Sequence, residues 1–350
     1  MSTKERLDSV QILRFIAATS VVLLHLSAPL NQKFDSPLLD FPNGRAGVDI
    51  FFVISGFIIA YTAAGTRDAV EFMKRRIFRV VPIYWLLTLG VFSIALIAPA
   101  LLKNTDANPI LLLKSLFFVP YEKPNGLIQP VLFLGWTLNY EMFFYATFAI
   151  ALSLTTRFRT ALTVFFALLV AAGQLLSSNH VFVRFYTDPI ILEFVLGLWI
   201  HALWTQRRDL LPKLWPLAPI GAALIILQPT DPLLAHRFFV YGLPAALLML
   251  GMVGLAIPKN PVTNLMLLLG NASYSMYLSH VYVITLAYKV ILPRVGQSAE
   301  LALGMAFATL AVVCVVSVIL YKLVEFPSNT FLRRLFPTRA TATTPQMATP

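Results

Sequence analysis

Of the 350 residues, 58% are hydrophobic and only 12% are charged, and the mean hydropathy is +0.76, values outside the range of water-soluble globular domains. The net charge of +11 does not point to nucleic acid, because the 27 Lys and Arg are scattered over short segments instead of forming one basic face. The single cysteine, Cys314, excludes an intramolecular disulfide and a cysteine-rich metal site.

Crossing a bilayer takes about 20 mostly apolar residues. Such runs fall at roughly 10–30, 47–64, 80–102, 132–154, 160–178, 187–204, 214–228, 238–257, 271–292 and 301–324. The expected fold class is therefore all-α and integral to the membrane, a bundle of about ten transmembrane helices. The run 110–119 is too short to cross and is read as interfacial or re-entrant. With the N-terminus inside, sixteen Lys and Arg fall on the inner side and eight on the outer, so the positive-inside rule places both termini in the cytoplasm. Residues 1–337 form one membrane unit, and 338–350, rich in Thr, Ala and Pro, read as a disordered cytoplasmic tail. Lys4 and Arg6 before an apolar run ending in Ser27, Ala28 and Pro29 imitate a signal peptide, but Arg14 and His25 inside that run are foreign to one.

Ionisable residues inside spans are costly and mark function, so they supply the candidates. In the first span, Arg14 and His25 are eleven positions apart; at 100° per residue they share a face, roughly 16 Å apart along the axis. Arg14 then lies near the cytoplasmic surface and His25 in the outer half, so a donor held at one could react at the other. The competing reading has Arg14 reaching to headgroups and His25 capping a neighbouring helix. Lys74, Arg75, Arg76 and Arg79 follow in a cytoplasmic segment. They satisfy the positive-inside rule, and they also suit the phosphates of a nucleotide donor.

The fourth span opens with Trp136, Thr137, Leu138, Asn139, Tyr140 and Glu141. Topology sets Glu141 at a depth similar to His25, where a carboxylate could fix an imidazole tautomer. Trp136 and Tyr140 suit an interfacial aromatic belt. In the ninth span Ser273, Tyr277 and His280 share one face, for helix packing or for substrate. No HExxH pattern or close His and carboxylate cluster is present in the sequence, so no metal is expected.

The motifs together carry a resemblance. They are Leu7-Asp8-Ser9 leading into Arg14 and His25, the run from Gly47 to Ile58 containing Asp49, Arg75-Arg76-Ile77-Phe78-Arg79 continuing to Trp85, Trp136 to Glu141, Ser273 to His280, and Glu325-Phe326-Pro327. In this order and over nearly the whole chain they resemble the membrane acyltransferase-3 family, and within it the exopolysaccharide acetyltransferases. The one small departure is Thr137, where the family often has Ser.

The resemblance implies a cytoplasmic acyl-CoA donor, acetyl-CoA foremost, with no permanently bound cofactor. It implies His25 as the central catalytic residue, Glu141 beside the reaction centre, and Arg14 with Arg75, Arg76 and Arg79 for the donor. Asp49, Trp136, Tyr277 and His280 are the candidate substrate contacts. The implied acceptor is a polysaccharide or lipid-linked oligosaccharide, and the implied location a multi-pass bacterial inner membrane. The alternative from another class is a transporter or flippase of a glycan or lipid-linked intermediate, since charged residues also line substrate pathways.

Overall fold

Asp8 opens a 27-residue helix, α1 (Asp8–Phe34), whose buried stripe Leu13, Ala17, Val21 packs inward. It belongs to a computed structural model that describes residues 7–34, 40–64, 68–102, 105–176, 178–228, 237–294 and 299–336. The cations Lys4 and Arg6 and the tail 338–350 lie outside the described residues. After α1 come α2 (Ala46–Ala63), α3 (Ala69–Ile97), the short α4 (Pro109–Leu116), α5 (Trp136–Leu154), α6 (Phe158–Leu176), α7 (Val181–Tyr186) and α8 (Leu192–Gln206). The chain ends in α9 (Leu217–Ile226), α10 (Leu243–Met252), α11 (Pro261–Asn271), α12 (Ser273–Leu286), α13 (Ala299–Leu320) and α14 (Phe326–Leu335). Among the described residues the only β-pairing is an isolated bridge between Glu122 and Ile128.

Among the described residues five helical stretches are long and apolar enough to cross a membrane: Asp8–Asn31, Pro42–Ala63, Ala69–Ile97, Phe158–Leu176 and Glu300–Leu335. Two shorter apolar pieces, Leu211–Ile226 and Phe238–Met252, correspond to the seventh and eighth expected runs. The third helix starts well before the expected 80. Asp68 caps it by accepting from the Glu71 amide, and Glu71 pairs with Arg75 one turn on at 2.5 Å. Arg75, Arg76 and Arg79 are therefore helical, where the apolar window had left them in a connecting segment. The ninth run is likewise longer than expected. Asn260 and Thr263 form a reciprocal capping box with Pro261 at the first position, which starts α11, and α12 follows after Ala272.

Helix α2 sits at the centre, against α1 on one side and α8 on the other. Two glycines let α2 and α8 touch backbone to backbone. A Cβ on Gly56 would stand 2.0 Å from the Phe194 carbonyl oxygen, and one on Gly197 2.1 Å from that of Val53. Small residues at a crossing are how membrane helices gain close packing, since lipid tails offer no hydrophobic reward for association. We expect Gly56→Ala to force this crossing apart and cost about 1–3 kcal/mol, read as a lower unfolding temperature of the detergent-purified protein. An unchanged temperature would mean that the two helices slide apart freely.

Beside this crossing an aromatic stack fills the core: Phe52 on Phe194 at 4.5 Å, Phe194 on Phe144 at 4.6 Å, and Phe144 on Phe166 at 5.6 Å between ring centroids. On its other flank α1 packs against α11, α12 and α13. Outward faces such as Phe307 and Val315 of α13, or Leu168 and Leu175 of α6, remain exposed and apolar, the surface a bilayer covers.

Candidate active site

Helices α1, α2, α3, α5 and α12 surround a small cavity of about 70 Å³. Arg14, Arg76 and Arg79 line it together with Glu141, Tyr145, Tyr274, Tyr277, Thr137 and Ser55. Arg14 and Arg76 are 9% and 6% exposed, so neither guanidinium is dissolved in a headgroup layer. Arg14 donates to Gln11 at 3.0 Å. Arg76 donates to the Thr62 hydroxyl and lies 5.5 Å from the centre of the Phe72 ring and 5.9 Å from that of Tyr145. Arg75 turns away, because its neighbour on a helix lies 100° round, and it is held by Glu71. The cluster read from sequence is thus divided: Arg76 and Arg79 face the cavity with Arg14, and Arg75 does not line it.

Glu141 belongs to this arginine group. Tyr145 donates to its carboxylate at 2.8 Å, and Arg79 and Arg76 are its charged neighbours. The sequence reading had set it beside His25. The imidazole of His25 instead meets His280, with His280 Nε2 and His25 Nδ1 3.1 Å apart. His25 Nδ1 also lies 3.0 Å from the Val21 carbonyl, and His280 Nδ1 lies 3.1 Å from that of Met276. The edge of Phe133 closes on His25 at 5.5 Å between centroids.

Between the arginines and the histidine pair stands Tyr277. Its hydroxyl donates to the Leu134 carbonyl at 3.1 Å and is 3.0 Å from the Thr137 hydroxyl, while its ring is 6.2 Å from that of His280. It lines the cavity, so it marks the end of the cavity nearer the imidazoles.

Asp49 and Trp136 form a separate group. Arg237 clasps the buried Asp49 carboxylate with two bonds, Nε to Oδ1 at 2.9 Å and Nη2 to Oδ2 at 2.8 Å, and sits 5.8 Å from the centre of the Trp136 ring. In the sequence Arg237 falls between two apolar runs with nothing to single it out, and Glu325 stands only as part of a motif. Glu325 accepts from Ser275 at 2.5 Å and is a charged neighbour of Arg14. Its signal was present, a carboxylate at the end of the last apolar run followed by Phe326 and Pro327, but nothing local names its partner. Among the described residues no group of three His, Cys, Asp or Glu is placed to hold a metal.

The family model described as an acyltransferase domain matches residues 7–322 and so embraces every residue of this cavity. The chain belongs to the acyltransferase-3 family. A relative from Rhizobium meliloti (strain 1021), named exopolysaccharide production protein ExoZ, is 38% identical over 86% of this chain and 94% of its own. Acyltransferase MdmB of Streptomyces mycarofaciens is 25% identical over 98% of this chain and 96% of its own. The O-acetyltransferase OatA of Staphylococcus aureus (strain NCTC 8325 / PS 47) is 26% identical over 61% of this chain and 38% of its own. No solved structure matches the chain. As an acyltransferase, it needs a pocket for an acyl donor and a base for the accepting group.

Proposed function

We propose that this acyltransferase moves an acetyl group from acetyl-CoA to a sugar hydroxyl of an exported or cell-surface polysaccharide, or of its lipid-linked precursor. It does so as a bundle of about ten spans in a bacterial inner membrane, with both termini cytoplasmic. One observation carries the reading: Arg14, Arg76 and Arg79 converge on a cavity whose far end is walled by Tyr277, next to the pair of His280 and His25. Guanidinium groups match phosphate oxygens, and an imidazole matches a hydroxyl proton. The names of ExoZ and OatA support an exopolysaccharide setting and O-acetyl chemistry.

In this reading Arg14, Arg76 and Arg79 hold the phosphates of coenzyme A, and Glu141 and Glu325 hold those guanidinium groups in place. The thioester then extends past Tyr277 toward His25. As the sugar oxygen attacks the thioester carbonyl, its proton passes to His25. Collapse of the tetrahedral adduct breaks the carbon–sulfur bond, and the leaving thiolate takes the proton back. Asp49 and Trp136 are assigned to the acceptor side.

Purified protein incubated with labelled acetyl-CoA and alkali-deacetylated exopolysaccharide is expected to release free coenzyme A and to give a product heavier by one acetyl per site. Transport without coenzyme A release would support a flippase instead. In the same assay Arg79→Gln removes one charge-assisted bond, worth about 1.5–3 kcal/mol, so apparent acetyl-CoA affinity is expected to fall roughly ten- to a hundredfold. Raising acetyl-CoA should recover part of the rate. A saturation curve identical to that of the unaltered protein would remove the cluster from the donor site.

A further inference from the structure

Two backbone carbonyls decide where the protons sit on the histidine pair. A carbonyl oxygen only accepts, so the nitrogen facing it must carry hydrogen. Val21 O faces His25 Nδ1 at 3.0 Å and Met276 O faces His280 Nδ1 at 3.1 Å, which makes both rings Nδ1–H tautomers when neutral. His280 Nε2 is then a bare lone pair, 3.1 Å from His25 Nδ1, and accepts a share of its hydrogen. The opposite assignment, with His280 Nε2 donating, strips hydrogen from both Nδ1 atoms and sets two lone pairs against two carbonyls. By elimination His25 Nε2 is the unprotonated nitrogen.

We infer that His280 is a positioning residue for His25, the partner that fixes its tautomer and leaves Nε2 bare to take the hydroxyl proton. This rests on the reading of His25 as the group that works on the acceptor hydroxyl. A carboxylate performs this office in hydrolytic triads, holding the ring and easing the positive charge that forms on it. Here a neutral imidazole does so through its lone pair. His280 is itself fully buried, with Tyr277 and Met276 on its own helix as neighbours, and so is placed behind His25 instead of against a sugar. When His25 Nε2 gains the proton, the Nδ1 hydrogen stays between the two rings. Its return from Nε2 to the leaving thiolate restores the starting state.

The test uses full-length protein in lipid nanodiscs, with labelled acetyl-CoA and alkali-deacetylated exopolysaccharide. His280→Leu fills the space but offers no acceptor, and is expected to lower kcat about tenfold to a thousandfold while leaving both KM values within a factor of a few. His280→Gln sets an amide oxygen near the place of Nε2 and is expected to recover part of kcat. His280→Asn, whose polar atoms reach only the Nδ1 position, is not. A rise in acceptor KM with kcat intact would make His280 a sugar contact. Equal loss in the Gln and Asn variants with equal loss of thermal stability would make it a packing residue. Either result overturns the inference. Solid-state nitrogen spectra of histidine-labelled protein, assigned by difference with His25→Ala, give a readout independent of any acceptor. They are expected to show His25 with Nδ1 protonated and Nε2 bare, and the reverse tautomer overturns the inference. If His25→Ala retains activity, the reading of His25 fails; if it is inactive while His280→Leu is normal, only the role of His280 fails.

Discussion

His25→Ala is expected to abolish acetylation while leaving insertion and thermal stability near those of the unaltered protein. The two halves of this expectation have different causes. The side chain is only half-buried and Ala is the strongest helix former, so α1 loses little packing and no helical order. The reaction loses an imidazole whose hydrogen-bond partner, His280, stands beside Tyr277 at the cavity end. General acid–base catalysis is worth about 10² to 10⁴ in rate, and a nucleophilic role at the same nitrogen would be worth at least as much. Product mass and coenzyme A release, normalised to correctly folded protein, decide the matter. Acetyl content equal to that of the unaltered protein would falsify the assignment. Labelled acetyl left on the protein when acceptor is withheld distinguishes an acyl-imidazole from direct transfer.

The class of fold was legible because lipid imposes it: apolar windows of fixed length reveal buried helices without any knowledge of partners. The same windows are blind to polar helical turns. They missed the start of α3, where Asp68, Glu71 and Arg75 build a capped and paired first turn. They missed α11, whose signal is the Asn260 and Thr263 capping box, and the continuation of α13 through Tyr321–Glu325 into α14. In the site, periodicity within one helix sets Arg14 and His25 on a common face, and the structure adds that Arg14 lines the cavity while His25 meets His280. What periodicity cannot supply is the partner across space.

Depth counting joined Glu141 to His25. Yet Glu141 is five residues into α5, about 7.5 Å below Trp136 at 1.5 Å per residue, and it points to Tyr145 and the arginines. The partner of His25 lies 255 residues away on α12, and its identity needed the packing of α1 against that helix. Cation clusters are similarly opaque. Arg75 and Arg76 are adjacent in sequence but a helix turns them apart, so only a folded α3 shows which of the two faces the cavity.

The group around Arg237 gives the second large effect, and its sign is asymmetric. Asp49 is 0% exposed and receives two bonds from Arg237, while Asp188 and the fully buried Glu193 are further carboxylates in the field of the same guanidinium. Removing one partner of a buried pair leaves an uncompensated charge and costs about 3–5 kcal/mol. Arg237→Met leaves Asp49, Asp188 and Glu193 facing one another without a cation, so it is expected to bear the whole of that cost and to lower yield and unfolding temperature sharply. Asp49→Asn keeps the shape and leaves Arg237 with Glu193 and Asp188 as remaining partners, so its loss is expected to be clearly smaller. Thermal unfolding of the two variants in detergent gives the order, and Asp49→Asn proving the more damaging would show that the other carboxylates do not share the arginine. Kinetics on the same proteins test the acceptor role proposed for Asp49. With the pair serving stability alone, the folded fraction of Asp49→Asn keeps the acceptor KM of the unaltered protein. A carboxylate that also holds a sugar hydroxyl loses a charged hydrogen bond on amidation, worth about 1.5–3 kcal/mol, and acceptor KM then rises roughly ten- to a hundredfold with the acetyl-CoA curve unmoved.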